Sequence, residues 1–537
     1  MNAKRPPADT TSGALLHDAL DRWSTRQPHA LFAADAGRKL RYAEAQAATR
    51  RLAAAFQRAG LRPEARVAVL AKNRVEVVLL YYAAARAGLT VVPLNTRLAP
   101  EEWAYILDDA RPSAIFVDGP FMQAIDRLRT TLADPAERYV ALEPDDARIA
   151  GWESFEQWLA PQHDRDVVMP PDPDRDVLQL YTSATTGRPK GAVLTHKAVC
   201  ANITQVGQAI GVSPGERSLV VAPLFHAAVV PSTLTPLAYG GSIYLQADFR
   251  PTEVVRALNE EQIGFTVLVP AMLQACLAEL GTLATRHFEA LRLIYYGSSP
   301  IARPTLRAAI DAFGCGFMQS YGMTEASQAV TFLTPQDHLR GLADRPELLL
   351  SAGRPASQTE IAILDPLDRQ LPPGEPGEVV IRGPQLMRCY WHQPEATAAT
   401  LRDGWLHTGD VGSLDTDGYL TIRDRLKDMI VSGGENVYPR AIEEVLMHHS
   451  AVAEAAVIGV PDPRWGETVK AVIVPREDAS FSPDEVIAFC RERLGGFEVP
   501  RSVDVVDRLP RNAAGKVLKR VLREAYWAGQ ERGVAGA

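Results

Sequence analysis

The N-terminal part of the chain alternates between amphipathic helical stretches and short apolar runs. Between Leu15 and Asp118, helical patterns such as "YAEAQAATRRLAAAFQRAG" and "EEWAYILDDA" are separated by apolar runs such as "ARVAVLA", "LTVVPL" and "SAIFVD". The short apolar runs have the length and composition of buried strands. Helices that alternate with buried strands are typical of an α/β domain with a largely parallel sheet.

A second round of the same pattern follows the Pro- and Asp-rich segment "VVMPPDPDRD". Its predicted strands are "VLQLYTS", "ERSLVVAP", "GGSIYLQ", "FTVLVP" and "LRLIYYGSSP", and helical stretches separate them. No short-period repeat is visible, although the two rounds look alike in architecture. We therefore predict a second α/β subdomain.

The character of the chain changes again towards the C-terminus. Short strands and turns from Ser351 to Arg423 predict an antiparallel β subdomain, and a small α+β unit follows from about Lys427. Within that unit, Pro439 fits the first position of one helix, and Ser482 with Glu485 forms a capping box ahead of another. We predict an α/β protein with a large N-terminal domain (1–424) of two α/β subdomains plus a β subdomain. A small, mobile α+β C-terminal domain (425–537) completes it.

Bulk properties exclude several classes of protein. The 537 residues carry a formal net charge of −8 and no long Lys/Arg run, which argues against nucleic acid as the main partner. The five cysteines are far apart and form no CxxC pair, as expected in a reducing cytosol. We expect no signal peptide, because the N-terminus lacks an apolar core, and no transmembrane segment, because Val77 to Leu94 reads as a helix followed by a strand. These features predict a cytoplasmic protein.

The stretch "LQLYTSATTGRPKGAVLTH", Leu178 to His196, is the first candidate for chemistry. A glycine-containing turn lets backbone N–H groups approach phosphate oxygens, and nearby hydroxyls and a cation add further donors. The usual P-loop pattern is absent, and a polar loop between two strands is the plain alternative. The residues that would form this phosphate cradle are Thr182, Ser183, Thr185, Thr186, Gly187 and Lys190.

Five motifs in one order identify a family resemblance that spans nearly the whole chain. They are "YTSATTGRPKG", "YGMTEA" (321–326), "GWLHTGD" (404–410), "DRLKDMIVSGGENVYP" (424–439) and "PRNAAGKVLKR" (510–520). This series resembles that of adenylate-forming acyl-CoA synthetases, which include coumarate and benzoate CoA ligases. The resemblance implies ATP, Mg²⁺ and coenzyme A as cofactors. It also implies a two-step reaction: a carboxylate attacks the ATP α-phosphate, and then the CoA thiol attacks the acyl-adenylate.

The resemblance also assigns roles to residues of the larger domain. The Thr182 to Lys190 loop would hold the β- and γ-phosphates, Thr324 would reach the α-phosphate, and Glu325 would bind Mg²⁺. The segment Ser298, Ser299 and Pro300 would pack against the adenine. The motif residue Tyr321 belongs with the nucleotide-binding residues, as do Gln319 and Ser320, which lie on the strand that leads to the acyl pocket.

The resemblance also assigns roles to residues in the C-terminal third of the chain. Asp410 and Arg425 match the residues that bind the ribose, and Lys516 resembles the lysine that enters the site only for adenylation. Lys427 lies where the family has its hinge. Rotation there would withdraw Lys516 and bring Gly433 and Gly434 to line the pantetheine channel. The neighbouring charges Lys519 and Arg520 read as surface residues.

The acyl pocket is predicted from small and apolar residues beside a gate. His226 resembles the family's gate near the substrate carboxylate, with Ala228 and Val229 after it as pocket lining, which favours a hydrophobic tail. The alternative is that these small and apolar residues only pack in the hydrophobic core. Three departures from the family pattern are Ala184 in the phosphate loop, Ser320 where glycine is common, and Cys389 before a tyrosine.

The sequence therefore predicts an ATP-dependent acid:CoA ligase that acts on a fatty or aryl acid. Two alternatives stay open: adenylation for transfer to a carrier-protein pantetheine, and a silent adenylate-binding protein, for which Ala184 is the warning sign. The chain ends soon after the Lys519 helix without a carrier domain, which favours free CoA as the acceptor. The partners expected are a small carboxylic acid, ATP and CoA, and a homodimer is left open.

Overall fold

The structure is a computed structural model. It describes residues 15–143, 149–160, 167, 169–182, 188–282, 287–299, 301–476, 479, 482–511 and 517–528. Within these residues the helices are α1 Asp18–Arg26, α2 Tyr42–Arg58, α3 Val75–Ala87, α4 Pro100–Ala110, α5 Gly119–Leu128, α6 Phe155–Leu159, α7 His196–Ile210, α8 Thr235–Ala238, α9 Pro251–Glu260, α10 Pro270–Glu279, α11 Arg303–Phe313, α12 Pro335–Ala343, α13 Pro394–Thr400, α14 Pro439–Leu446, α15 Pro483–Arg491 and α16 Lys519–Glu524. Short 3₁₀ helices span Leu280–Thr282, Thr324–Ala326 and Pro346–Leu350, and a π-helix spans Val230–Leu234.

The strands of the described residues follow in chain order. They are β1 Leu31–Ala34, β2 Lys39–Arg41, β3 Arg66–Leu70, β4 Thr90–Pro93, β5 Ala114–Val117, β6 Arg138–Ala141, β7 Glu153–Ser154, β8 Asp176–Thr182, β9 Lys190–Thr195, β10 Arg217–Val220, β11 Ser242–Leu245, β12 Phe265–Leu268, β13 Leu293–Gly297, β14 Gly316–Met323, β15 Gln328–Leu333, β16 Arg354–Pro355, β17 Glu360–Leu364, β18 Gly377–Arg382, β19 Cys389–Tyr390, β20 Leu401–Arg402, β21 Trp405–Leu414, β22 Leu420–Arg425, β23 Ile430–Ser432, β24 Glu435–Val437, β25 Val452–Asp462, β26 Gly466–Pro475 and β27 Ser502–Val505.

The described residues divide into two compact units. The first contains 15–182, 189–360 and 382–404, and the second contains Arg188, 361–381 and 405–528, apart from the gaps given above. The α/β fold class with a large and a smaller α+β part is confirmed. The predicted boundary between 424 and 425 stays a prediction.

The first unit contains two large, mostly parallel sheets. One has the strand order β19-β9-β8-β4-β3-β5-β6-β7, and its core forms where α4 and α5 cover β3, β4 and β5. The other has the order β16-β15-β14-β13-β12-β10-β11-β1-β2, with α9, α10 and α11 packed on it. Both sheets end in antiparallel strands, at β8-β9-β19 and at β14-β15-β16.

The order of strands in space departs from the two successive rounds that the sequence suggested. Strand β1 lies early in the chain but pairs in parallel with β11, so it joins the sheet of the second round. The buried Tyr42, at the start of α2, fixes this arrangement because its hydroxyl donates to the carbonyls of Leu237 and Gly241. Strand β8, which the sequence analysis placed in the second round as "VLQLYTS", pairs in parallel with β4 and so belongs to the sheet of the first round. That assignment was wrong, because long-range pairing decides sheet membership.

The apolar stretch after Val75 forms helix α3 and then strand β4, as predicted. All residues of α3 are buried, and Gly88 ends the helix in the left-handed region at φ +70°. In the described parts of the chain, no helix combines the length and the hydrophobicity required to cross a bilayer.

The second unit contains two antiparallel sheets. Strands β17, β18, β21 and β22 belong to the first, and the second has the order β24-β23-β26-β25, with β27 in parallel beside β26. Helices α14 and α15 contribute Ile442, Leu446, Val486 and Cys490 to its core. Both predicted helix starts are confirmed: Pro439 opens α14, and Ser482 with Glu485 forms a reciprocal capping box at α15.

Candidate active site

Several of the predicted site residues lie outside the described residues. These are Ser183, Ala184, Thr185, Thr186, Gly187, Pro300 and Lys516. The two ends of the phosphate loop are described, and they are direct partners in the antiparallel pair β8–β9, Thr182 opposite Lys190. Thr182 Oγ1 donates a hydrogen bond of 3.4 Å to the carbonyl of Lys190. The loop therefore connects two adjacent strands and returns the chain to the same edge of the sheet.

Lys190 and Glu325 both contact Tyr390. The ammonium of Lys190 lies 5.0 Å from the centre of the Tyr390 ring. The Tyr390 hydroxyl donates a hydrogen bond of 2.7 Å to Glu325 Oε1. Burial, followed by the charge of Glu325, raises the pKa of Tyr390 well above its ordinary value, so the hydroxyl keeps its proton. The structure thus brings together a cation and a carboxylate that are distant in sequence.

The "YGMTEA" motif ends strand β14 in a tight turn. Thr324–Ala326 forms a 3₁₀ helix, and Ser327 follows in the left-handed region at φ +63°. Gly322 lies so close to the next strand that an added Cβ would come within 1.5 Å of the Gln328 carbonyl oxygen. A side chain is therefore excluded at Gly322 by the approach of the two backbones.

A cluster of buried amide side chains supports this turn through hydrogen bonds. Ser327 Oγ donates to the Gln385 carbonyl at 2.8 Å, and the Met387 N–H donates to the Glu325 carbonyl at 2.7 Å. The Gln205 amide on α7 donates to Gln385 Oε1 at 3.1 Å. Nearby, the side-chain amide of Asn202 exchanges two hydrogen bonds with the backbone of Ala329, of 2.8 and 3.2 Å.

The sequence did not point to this cluster or to Tyr390. The only sequence signal near Tyr390 was the departure from the family pattern at Cys389. Asparagine and glutamine are common on exposed helix faces, so burial is what distinguishes Asn202 and Gln205.

The predicted adenine segment and the acyl strand lie at one sheet edge. Strands β13 and β14 are parallel, with Gly297 opposite Ser320, so the exposed Ser298 and Ser299 follow one strand where Tyr321 continues the other. Carboxyl ends of parallel strands are where open α/β sheets bind ligands. Ser298 has φ +69°, which is uncommon for a residue other than glycine.

Gln319 and Ser320 are both held by hydrogen bonds. Gln319 Oε1 accepts from the Tyr296 hydroxyl at 3.3 Å. Ser320 Oγ accepts from Gln328 Nε2 at 3.3 Å, and Gln328 in turn accepts from the Tyr295 hydroxyl at 3.1 Å. The serine that replaces the common glycine is thus buried and satisfied.

The predicted gate follows strand β10 at the same edge, since β10, β12, β13 and β14 are successive parallel neighbours. Burial, with a smaller contribution from the charge of Arg97, lowers the pKa of His226 to about 4, so the ring is neutral at pH 7.

Of the two predicted pocket residues after His226, Val229 is fully buried and Ala228 is partly buried. Ala228 also accepts a 2.7 Å hydrogen bond from Ser232, inside the π-helix. π-helical turns are rare and often occur at functional sites.

The second unit brings Asp410 and Arg425 together. They are direct partners across β21 and β22, and Arg425 Nε lies 3.1 Å from Asp410 Oδ1. Asp410 is buried, whereas Arg425 is half-buried. Asp424 accepts hydrogen bonds of 2.7 and 2.8 Å from the N–H groups of Arg425 and Arg440, which ties β22 to the start of α14. Asp410 and Arg425 therefore form one ion pair within a single antiparallel ladder.

The predicted hinge residue and the predicted channel glycines come after strand β22 along the chain. Lys427 comes two residues after β22 and is partly buried. Gly433 and Gly434 form the turn between β23 and β24, with φ of +62° and +90°. A Cβ on Gly433 would come within 2.5 Å of the Trp465 ring, whereas none of the described atoms lies within 4 Å of a Cβ built on Gly434. Gly434 therefore has open space at its Cβ position.

Lys519 is largely buried, so the prediction that it is a surface charge was wrong. Its ammonium lies 2.8 Å from Glu443 Oε1, and only 13% of its side chain is exposed. Burial opposes the charge, but Glu443 and Asp424 outweigh it and raise the pKa of Lys519. Arg520 is exposed, as expected, and pairs with Glu524 on the same helix. Helix α16 therefore attaches to α14 through a largely buried ion pair.

Comparison with known proteins gives the family. The family model of the AMP-binding enzyme matches residues 20–391, and that of the AMP-binding enzyme C-terminal domain matches 441–516. A feruloyl-CoA synthase from an Amycolatopsis species is 38% identical over 95% of this chain and 100% of its own length. The fatty acid–[acyl-carrier-protein] ligase ScoC from Streptomyces coeruleorubidus is 37% identical over 93% and 94% of the two chains.

A solved structure extends these similarities to the fold. The O-succinylbenzoate coenzyme A synthetase of Bacillus subtilis, in complex with ATP and a magnesium ion, is 29% identical over 94% of this chain and 98% of its own, with a TM-score of 0.80. The first family model alone covers more than half of the chain, and the curated relatives cover nearly all of it. With the family model over residues 20–391 and these relatives over nearly the whole chain, the chain belongs to the AMP-binding enzyme family of adenylate-forming acyl- and aryl-CoA ligases.

Proposed function

We propose that this protein is an AMP-forming acid:CoA ligase that converts a hydrophobic carboxylic acid, fatty or aryl, into its CoA thioester. The observation that carries the proposal is that Lys190 and Glu325 both contact Tyr390, the first at its ring and the second at its hydroxyl. A cation for phosphate oxygens and a carboxylate for a hard metal ion are what adenylyl transfer requires at one place. The family relationship supports ATP, Mg²⁺ and CoA as the cofactors.

In the first half-reaction, an oxygen of the substrate carboxylate attacks the α-phosphorus of ATP. The bond to the bridging oxygen of pyrophosphate breaks, and acyl-AMP remains. In our proposal, the loop from Thr182 to Lys190 holds the leaving pyrophosphate, and Thr324 donates to the α-phosphate. Lys516 neutralises the charge that develops between the two reactants.

In our proposal, other residues bind the nucleotide and the metal ion. Asp410 is proposed to accept from the ribose hydroxyls, with Arg425 beside it, and Ser298 and Ser299 to pack along the adenine. A bound Mg²⁺ would neutralise phosphate charge, and the Glu325 carboxylate has the hard oxygen atoms that this ion prefers. Among the described residues no cluster of three or more His, Cys, Asp or Glu side chains forms a metal site. This agrees with an ion that takes most of its ligands from ATP and water.

In the second half-reaction, the thiol sulfur of CoA attacks the acyl carbonyl carbon. The bond to the AMP oxygen breaks, AMP leaves, and the thiol proton passes to solvent. We propose that rotation at Lys427 exchanges Lys516 for the Gly433–Gly434 turn between the two steps. A neutral His226 fits a gate beside the substrate carboxylate, because it can move without carrying a charge out of water.

Acid-dependent pyrophosphate release tests the proposal. The purified chain is assayed with ATP and Mg²⁺ over fatty acids of several lengths, benzoates and cinnamates including ferulate, each without acceptor, with CoA and with a holo-acyl-carrier protein. We expect release with one acid class, faster turnover with CoA, and formation of the thioester by mass spectrometry. Thioester formation only on the carrier protein would replace CoA as the acceptor.

A variant separates an enzyme from a silent nucleotide-binding protein. Lys516→Ala should lose acid-dependent pyrophosphate release by about two orders of magnitude or more, as for removal of one group that stabilises transition-state charge. It should still bind AMP, whereas the exposed control Arg520→Ala should behave as the wild type. Release that survives in Lys516→Ala would contradict the role of Lys516, and no release with any acid in the wild type would favour the silent protein.

The location and assembly of the enzyme are part of the proposal. We place it in the cytoplasm, where ATP and reduced CoA are both present. Whether the chain forms a homodimer is decided by sedimentation analysis.

A further inference from the structure

We infer that Tyr390 is a positioning residue for catalysis, which orients the carboxylate of Glu325 with its hydroxyl and seats the ammonium of Lys190 on its ring. The inference rests on the proposed function, since it concerns the groups that would hold the metal and the pyrophosphate. It adds a residue that lies between the two motifs and belongs to neither.

The hydroxyl of Tyr390 has the geometry of a strong hydrogen-bond donor to a carboxylate. Its distance of 2.7 Å to Glu325 Oε1 is within the range for an O–H donor to an oxygen acceptor. Both residues are 7% exposed, so water competes little for this contact. A carboxylate has two oxygens and about four acceptor positions. One hydrogen bond therefore fixes the orientation of Glu325 and leaves acceptor capacity for a metal ion.

The face of the same ring contacts the cation of the phosphate loop. Lys190 Nζ lies 5.0 Å from the ring centre, inside the range of about 6 Å over which an ammonium is attracted by an aromatic face. Lys190 is the first residue of strand β9, directly after the loop. Tyr390 thus couples the position of the cation to that of the carboxylate.

The backbone around Tyr390 is held from several sides. Strand β19 pairs with β9 so that Tyr390 lies opposite Ala192, and the Trp391 N–H donates to the Gly191 carbonyl at 2.8 Å. The Tyr390 N–H donates to Thr397 Oγ1 at 3.0 Å. The segment that carries Tyr390 is therefore attached to the strand that carries Lys190, and rigid supports of this kind make functional geometry precise.

A purely structural tyrosine would give a different result from a positioning one. Loss of a structural hydroxyl lowers thermal stability but leaves the metal dependence of nucleotide binding unchanged. Loss of a positioning hydroxyl raises the Mg²⁺ concentration required, because Glu325 then samples orientations that do not face the ion. The Mg²⁺ dependence of ATP binding is therefore the decisive readout.

The experiment measures ATP affinity of the full chain by titration calorimetry, without acid substrate, over a series of Mg²⁺ concentrations. For Tyr390→Phe we expect the half-saturating Mg²⁺ concentration to rise roughly tenfold, as for the loss of one hydrogen bond to a charged group. Tyr390→Leu, which also removes the ring, should in addition weaken ATP binding at saturating Mg²⁺. Tyr42→Phe is the matched control, because it removes a buried hydroxyl that donates to the Leu237 and Gly241 carbonyls.

Two further variants make the outcomes separable. Glu325→Gln should raise the Mg²⁺ requirement by itself, and Tyr390→Phe should add little to it. If Glu325→Gln leaves the requirement unchanged, the metal role of Glu325 in the proposed function is wrong. If Glu325→Gln raises the Mg²⁺ requirement and Tyr390→Phe does not, only the inference on Tyr390 is overturned.

Should Tyr390→Phe fail to fold, Glu325→Asp tests the same contact from the other side. It withdraws the carboxylate from the hydroxyl and should raise the Mg²⁺ requirement likewise. An unchanged requirement there also overturns the inference.

Discussion

Arg425 Nε lies 3.1 Å from Asp410 Oδ1, and the two residues are direct partners across strands β21 and β22. The pair presents one buried carboxylate and one half-buried guanidinium from a rigid antiparallel ladder. Because both partners come from the same sheet, their separation is set by strand register rather than by a flexible loop.

Removal of either partner should weaken nucleotide binding. For Asp410→Asn and Arg425→Met we expect the Kd of AMP to rise about 10- to 100-fold, since hydrogen bonds to charged groups contribute roughly 1.5–3 kcal/mol. Calorimetric titration with AMP measures this directly. Arg250→Met, at an exposed arginine paired with Glu253, is the control and should bind as the wild type does. Wild-type affinity in Asp410→Asn would contradict the ribose role.

The Gly434 turn should matter for the thiol step alone. Gly434 has φ +90°, and a methyl group at its Cβ position would meet none of the described atoms within 4 Å, so only a passing ligand would contact it. We expect Gly434→Ala to slow thioester formation while acid-dependent pyrophosphate release continues. The matched control is Gly374→Ala, since Gly374 has φ +92° and an equally open Cβ position in the same unit.

Both glycine substitutions should lower the melting temperature to a similar extent, because both force a side chain into the same unfavourable backbone conformation. Quenched-flow measurement of each half-reaction separates this shared strain from the effect on the thiol step. Equal thioester rates in the two variants would mean that Gly434 serves the turn and not the channel.

The amide cluster behind the "YGMTEA" turn should stabilise the first unit. Gln385→Leu leaves the buried amide of Gln205 without one of its acceptors and removes the donor to Thr359. Gln205 keeps the Ser357 carbonyl and the Thr359 hydroxyl as acceptors. We expect a loss of about 1–3 kcal/mol in the free energy of unfolding of this unit, as for two buried hydrogen bonds of about 0.5–1.5 kcal/mol each. Urea denaturation followed by tryptophan fluorescence measures it, and Gln274→Leu, whose amide is exposed, should unfold as the wild type does.

Buried His196 should make stability fall as the pH drops. Burial first, then the charges of His17 and Arg175, lower the pKa of His196 to about 3, and its Nδ1 accepts a 3.0 Å hydrogen bond from the Leu16 N–H. Protonation would put a second donor against that N–H. Between an unfolded pKa of about 6.5 and the folded value, the unfolded chain binds the proton and the folded chain does not.

The contribution of His196 is therefore present above about pH 6.5 and declines below it, by at most roughly 1.4 kcal/mol per pH unit. His196→Asn retains an acceptor for Leu16 but does not titrate, so its melting temperature should fall less steeply between pH 6.5 and pH 4 than that of the wild type. His29→Asn, at an exposed histidine, should show the wild-type slope. Parallel slopes for wild type and His196→Asn would show that other groups account for the acid sensitivity.

Lys519 should anchor helix α16 through its ion pair with Glu443. Lys519→Met should cost about 2 kcal/mol of stability in the second unit, a value between those of surface and fully buried pairs. Because the folded pKa of Lys519 is raised, this contribution is present at neutral pH and is lost only as the pH rises through the folded value. Thermal melts at pH 7 test it against Arg520→Met, which breaks only an exposed pair. Equal melting temperatures would mean that the buried pair contributes no net stability.

Short-range patterns gave the alternation of helices and strands, the buried character of α3 and the starts of α14 and α15, because these depend on neighbours within a few residues. The motif series gave the family and a list of site residues for the same reason, since each motif is a local segment with its own chemistry. The roles that it assigns to those residues stay predictions.

Only the tertiary structure decided which distant segments meet. It placed β1 beside β11, buried Lys519 against Glu443, and brought Tyr390 to Glu325 across 65 positions of sequence. A tyrosine in a short strand has the same local pattern whether its hydroxyl faces solvent, a carbonyl or a carboxylate. The sequence by itself therefore determined the elements and the kind of chemistry, whereas the pairing of strands determined which side chains support it, because contacts between distant segments leave no periodic trace in either one.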